Sequence, residues 1–206
     1  AYYGVPAARQ RLVFLNYRLA VPELVRIVND AEATTLIYGA NFADRVAAMR
    51  RDLTTVTRTI ALGREYEAFI GREPATPPCD DICPSDVAWI IYTSGTTGMP
   101  KGAMLTHRNL SANALQVRAW IPDFREGEEV VLGAIPFFHV YGMTVAMNLA
   151  LLGGAKLVLL PRPEIKAIVE AIEKHQVTHF PGVPTLYVAF NNFPGIEKRN
   201  VKSIRI

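Results

Sequence analysis

Short apolar runs alternate with segments of helical period along nearly the whole chain, and this alternation narrows the fold more than any other feature. Residues 22–31 place Leu24, Ile27, Val28 and Ala31 on one helical face, and 34–38 form a short β-rich run. Asn41 can cap a helix whose inner face is Phe42, Val46 and Met49. Residues 56–62 read as another strand. Further on, Val87–Thr93 is a continuous apolar strand. Thr106 can cap a helix carrying Leu110, Ala114, Val117 and Ile121. Residues 129–135 form a strand, 142–152 a buried helix and 155–160 a strand. Residues 163–175 form an amphipathic helix with Ile165, Ile168, Val169 and Ile172 inward. A short strand at 177–180, a helix at 184–192 opened by Pro184, and a strand beginning at 201 complete the pattern. Strands alternating with helices predict an α/β fold with mostly parallel, doubly wound sheets.

Residues 71–86, GREPATPPCDDICPSD, hold four prolines and few apolar side chains, so they read as a linker. The predicted organisation is a partial α/β subdomain at 1–75, the linker at 71–86, and a second α/β subdomain at 87–206. Half of the 206 residues are hydrophobic, enough for a real core. The formal charge is only +3, from 22 basic and 19 acidic residues scattered along the chain, which speaks against nucleic-acid binding. The two cysteines, Cys79 and Cys83, lack a second pair at zinc-finger spacing and read as free thiols. The apolar stretch 140–160 is broken by Gly153 and Gly154, short of the roughly 20 unbroken residues that a membrane span needs. It reads as helix, turn and strand, with no transmembrane segment, and the absence of a signal peptide points to a cytoplasmic protein.

The sharpest chemistry lies directly after the apolar strand, in residues 92–102, YTSGTTGMPKG. These eleven residues hold three glycines, the hydroxyl side chains of Thr93, Ser94, Thr96 and Thr97, one lysine and no acid. A polyphosphate needs this combination. Glycines let backbone N–H groups approach oxygen, hydroxyls donate and can meet Mg²⁺, and a lysine supplies positive charge. Such a charge pair at about 4 Å attracts by about 4 kcal/mol near a surface before desolvation. The Walker A pattern fails: Gly95 and Gly98 are too close together, and Lys101 is followed by Gly102 instead of Ser or Thr. The G-x-G-x-x-G fingerprint fails as well.

YTSGTTGMPKG resembles the signature loop of the adenylate-forming superfamily, which contains acyl- and aryl-CoA synthetases, peptide adenylation domains and firefly luciferase. The resemblance implies that Thr93, Ser94, Gly95, Thr96, Thr97, Gly98 and Lys101 meet the β- and γ-phosphates of ATP. Thr96 or Thr97 would be the hydroxyl near Mg²⁺. A histidine among aromatics, as in PFFHVYG at 136–142, is more often a packed core residue than a catalytic one. The segment nevertheless resembles the superfamily's second motif, which implies that His139 lies between acyl carboxylate and adenylate, with Tyr141 against the acid. Peptide adenylation domains carry Phe-Asp near this place, and its absence favours an acid without an α-amine. KGAMLTHRNLSAN, EEVVLGAIPFFHVYGMT, PGVPTLY and NYRLAVPELVRIVNDAEATTLIY resemble bacterial long-chain fatty acid–CoA ligases. Gly182 and Pro184 resemble a turn lining the acyl tunnel, and helix-start chemistry explains them equally well. His107, His175 and His179 carry no expected catalytic role.

The resemblance implies a ligase with His139 and Lys101 as catalytic residues. The carboxylate of a fatty acid attacks the α-phosphorus of ATP, pyrophosphate leaves, and the thiol of coenzyme A then displaces AMP. An aryl-CoA or luciferase-like ligase, or a remnant that only binds nucleotide, are the alternatives. Expected partners are fatty acid, ATP and CoA, with peripheral membrane contact and a homodimer left open. The superfamily's adenine-binding segment, Thr-Glu acid, ribose-binding aspartate, hinge and C-terminal lysine do not occur in residues 1–206. The chain therefore reads as an internal piece of the N-terminal domain, expected not to adenylate by itself.

Overall fold

A computed structural model describes residues 1–72, 81–93, 100–160 and 162–206, and they form two compact units, Ala1–Arg108 and Asn109–Ile206. In chain order the first unit contains α1 (Gly4–Ala7), β1 (Leu12–Phe14), α2 (Val21–Asp30), β2 (Thr35–Gly39), α3 (Ala43–Met49), β3 (Arg58–Leu62), α4 (Arg64–Ile70), β4 (Val87–Thr93) and β5 (Lys101–Thr106). β4 is the middle strand of a three-stranded sheet, parallel to β1 and antiparallel to β5, while β2 and β3 form a separate parallel pair. The central position explains why β4 is apolar over Val87–Ile91 instead of alternating, since Ala88, Trp89, Ile90 and Ile91 are all buried. Trp89 is met edge-on by the rings of Tyr2 and Phe14, and its Nε1–H donates to the Tyr2 carbonyl at 3.0 Å. α2 starts where Glu23 reaches back to accept from the Ala20 N–H at 2.9 Å. Its buried Leu24 and Val28 pack with Met49 of α3, and full burial of such side chains stabilises by about 1.5–3 kcal/mol each.

The second unit takes up α5 (His107–Trp120) from Asn109 onward. It continues with β6 (Val130–Gly133), α6 (Val140–Gly142), a π-helical stretch (Met143–Asn148), α7 (Leu149–Leu152), β7 (Lys156–Leu159), α8 (Ile165–His175) and α9 (Pro184–Asn191). β6 lies parallel to β7 and also exchanges hydrogen bonds with residues 177–180, for instance Leu132 N–H to the His179 carbonyl at 2.9 Å. Residues 204–206 extend the ladder, with Arg205 N–H on the Thr178 carbonyl at 2.9 Å and Phe180 N–H on the Ile206 carbonyl at 2.8 Å. Neighbouring residues of a strand face opposite ways. Leu132 accordingly joins the cluster under α8, with Ile168, Val169 and Ile172, while Val131 joins Phe124, Ala146, Leu149 and Ala150 on the other face. Helices on both faces of a parallel ladder are what the alternation predicts.

Three features differ from the sequence expectation or add to it. The chain divides into its two units after Arg108, because β4 and β5 pair with β1; the predicted linker at 71–86 lies partly outside the described residues. β1, α4 and β5 are too short or too mixed in pattern to stand out in sequence. Asn41 provides no side-chain cap to α3; it sits inside a 3₁₀ turn, Ala40–Phe42, that leads into the helix. Cys83 is free and exposed, and Cys79 lies outside the described residues.

His179 is 4% exposed, edge-on to the Phe124 ring, and neither ring nitrogen has a hydrogen-bond partner of ordinary geometry. Burial lowers its pKa below the usual 6.5, only partly offset by the Val145 backbone and the Glu129 carboxylate. The unfolded chain then binds a proton that the folded one refuses, so stability falls as pH drops through 6.5 toward the folded pKa. His179→Leu is expected to remove this slope, measured as unfolding free energy in denaturant between neutral and mildly acidic pH. An unchanged slope would refute the assignment.

Candidate functional site

The residue run singled out for phosphate connects two paired strands. At its stem Tyr92 is opposite Gly102 and Thr93 is opposite Lys101. Thr93 and Lys101 are both exposed, one ending β4 and the other opening β5. Ser94, Gly95, Thr96, Thr97 and Gly98 lie outside the described residues. Gly102 has a steric reason: a Cβ there would come 2.9 Å from Tyr92 Cζ and 3.0 Å from Ile90 Cγ2. Only a glycine lets the Tyr92 ring lie across β5. The Tyr92 hydroxyl donates to Asp30 Oδ2 at 2.5 Å, a tie to the end of α2 that no motif announces. Its pKa is raised above the ordinary 10.0, first by burial and then by the hydrogen bond and charge of Asp30.

In the second unit, the turn after β6 delivers His139 to the N-terminus of α6. His139 is exposed, and its Nδ1 accepts from the Tyr141 N–H at 3.1 Å. With Nδ1 accepting, the ring's remaining donor is Nε2–H. The Tyr141 hydroxyl donates to the Gly182 carbonyl at 3.2 Å, so His139, Tyr141 and Gly182 form one connected group. Gly142, whose close packing no sequence signal marked, fixes this turn: a Cβ would come within 2.8 Å of both the Ile135 and Pro136 carbonyl oxygens. Gly182 is glycine for a similar reason, since a Cβ would meet Tyr187 Cζ at 2.7 Å. Tyr187 itself donates to the Phe180 carbonyl at 3.0 Å, and its pKa is raised by burial and by neighbouring Tyr141. Pro184 opens α9 at the favoured first position. Val140, Val183 and Val188 are exposed apolar residues close in sequence to this group.

Among the described residues, no group of three or more His, Cys, Asp or Glu could hold a metal ion, and no helix is long and apolar enough to cross a membrane. The expected Mg²⁺ ligands Thr96 and Thr97 lie outside the described residues.

Parallel strand pairs flanked by helices, in each unit by itself, define an α/β class of protein. The chain belongs to the AMP-binding enzyme family, whose model matches residues 1–206. This is the adenylate-forming superfamily of acyl- and aryl-CoA ligases. A long-chain-fatty-acid–CoA ligase of Bacillus subtilis (strain 168) is 45% identical over 120 residues, 58% of this chain and 21% of the relative. A feruloyl-CoA synthase of Amycolatopsis sp is 34% identical over 194 residues, 93% of this chain and 37% of the relative. The inhibitor-bound crystal structure of the N-terminal domain of FACL13 from Mycobacterium tuberculosis matches with a TM-score of 0.91 at 28% identity, covering 99% of this chain and 51% of that one. The chain thus spans well under half the length of these two curated relatives.

Proposed function

We propose that this chain supplies the phosphate-gripping hairpin and one wall of the acid site in an ATP-dependent ligase that converts a long-chain fatty acid to its CoA thioester. The observation that carries the reading is the hairpin stem, with Thr93 and Lys101 paired at the mouth of a glycine- and hydroxyl-rich run free of acids. A carboxylate oxygen attacks the α-phosphorus of ATP, the bond to pyrophosphate breaks, and acyl-adenylate forms. The sulfur of CoA then attacks the acyl carbon and AMP leaves. Such a reaction asks the protein for positioning and charge neutralisation more than covalent help.

In this reading Lys101 and the backbone and hydroxyls of residues 93–98 hold the outer phosphates, with Mg²⁺ near Thr96 or Thr97. His139, oriented at Nδ1 by the Tyr141 N–H, presents Nε2–H toward the acyl carboxylate and adenylate. Tyr141 and the turn at Gly182 and Pro184 border the acid, and the exposed Val140, Val183 and Val188 suit an apolar chain. An aryl acid is the second reading, favoured by the feruloyl-CoA synthase that matches 93% of the chain.

ATP–pyrophosphate exchange by the native gene product containing this chain tests the proposal. Exchange is expected with long-chain fatty acids and to be much weaker with hydroxycinnamic acids. The opposite preference transfers the assignment to the aryl branch, and no exchange with any carboxylic acid sinks the adenylation reading.

A further inference from the structure

Tyr92 stands one pair inside the Thr93–Lys101 stem, and it is held on two sides. Its hydroxyl donates to the carboxylate of Asp30, the last residue of α2, across 62 positions of sequence. Its ring covers Gly102 so closely that a Cβ at Gly102 would lie 2.9 Å from Cζ and 3.1 Å from Cε2. One side chain thus ties β4 to α2 and seats β5 beneath it. Neither Asp30 nor Tyr92 is among the residues expected to touch phosphate. A bare carboxylate near an anion site would oppose binding; here Asp30 receives a short hydrogen bond from a phenol. That phenol is protonated at neutral pH, and burial, and then Asp30 itself, raise its pKa further above 10.0.

We propose that Asp30 and Tyr92 are positioning residues for ATP: their hydrogen bond, together with the seat of Tyr92 on Gly102, sets the Thr93–Lys101 pair and thereby the point at which the Lys101 ammonium meets the outer phosphates. The proposal rests on the reading of residues 93–101 as a phosphate site. It predicts an effect confined to ligands that carry those phosphates. A side chain that merely stabilised the first unit would affect every nucleotide alike.

The test measures dissociation constants for Mg·ATP and for AMP in the native gene product, unaltered and with Tyr92→Phe, Asp30→Ala, Asp30→Asn, the Tyr92→Phe/Asp30→Ala pair, and Lys101→Ala. Loss of one charge-assisted hydrogen bond is expected to raise the ATP constant about three- to tenfold in Tyr92→Phe and in Asp30→Ala. AMP binding stays unchanged. The double variant is no weaker than either single one, because both remove the same bond. Asp30→Asn keeps an acceptor and restores most of the ATP affinity. Equal losses for ATP and AMP, or no loss in either single variant while Lys101→Ala does weaken ATP, overturn the positioning role and leave the phosphate reading standing. No loss in Lys101→Ala overturns the phosphate reading, and the proposal with it.

Discussion

Lys101→Ala is expected to weaken ATP binding about ten- to a hundredfold, with AMP binding nearly unaffected. The size follows from the charge. An ammonium about 4 Å from a phosphate oxygen at a surface-like dielectric gains about 4 kcal/mol before desolvation, and solvent reduces that gain at an exposed position. Lys101 is such a position, exposed at the first residue of β5. A cost of about 1.4–2.8 kcal/mol remains, which corresponds to the stated range. The same reasoning predicts a salt dependence: the gap between Lys101→Ala and the unaltered protein narrows as ionic strength rises, because screening already removes part of the lysine's contribution. Calorimetric titration with Mg·ATP and with AMP at low and high salt measures both effects. An ATP affinity insensitive to the substitution would contradict the phosphate role of the hairpin.

The legible parts of this structure share a physical cause. β4 and α8 could be read because burial demands long apolar patterns: a central strand covered on both faces reads as a continuous run, and a helix over a sheet reads as a stripe. The broken stretch after residue 140 was legible for the same reason, since Gly153 and Gly154 can only be a turn between α7 and β7. β5 was not, because it is a strand with no fully buried residue whose existence depends on pairing with β4. The division of the units at Arg108 depends equally on contacts distant in sequence, those of β4 and β5 with β1. For the candidate site, composition points to the proposed phosphate chemistry because a polyphosphate needs many donors within a few residues. Asp30, by contrast, carries no local signal. It meets Tyr92 only because α2 ends beside β4, and a single acidic residue at a helix end looks like ordinary surface.

Removal of the Glu129 carboxylate is expected to destabilise the second unit strongly. Glu129 is 1% exposed and immediately precedes β6. Its carboxylate accepts from the Arg125 N–H at 2.8 Å and from the Thr178 hydroxyl, and it forms an ion pair with Arg205. Three segments thereby converge on one side chain: the approach to β6, the strand-like run at 177–180 and the outer run at 204–206. Burial alone would raise the pKa of this acid, but the bonds from Thr178, Arg125 and Arg205 outweigh it and hold the pKa below the usual 4.5. Glu129→Ala leaves the Arg125 N–H and the Thr178 hydroxyl without their carboxylate acceptor. The expected loss is about 2–4 kcal/mol of unfolding free energy. Arg205 adds less than a wholly buried partner would, because its side chain is 31% exposed and water can solvate it. Glu129→Gln keeps the shape and one acceptor and should lose less. The pH dependence has a definite sign: a depressed carboxylate pKa stabilises above 4.5, and that share is lost as pH falls through the folded value. Denaturant unfolding at neutral pH and across the acid range checks both points. A Glu129→Ala protein within about 1 kcal/mol of the unaltered chain, or one that keeps the full acid slope, would show that the ladder at 177–180 and 204–206 is held by its backbone bonds and apolar packing instead.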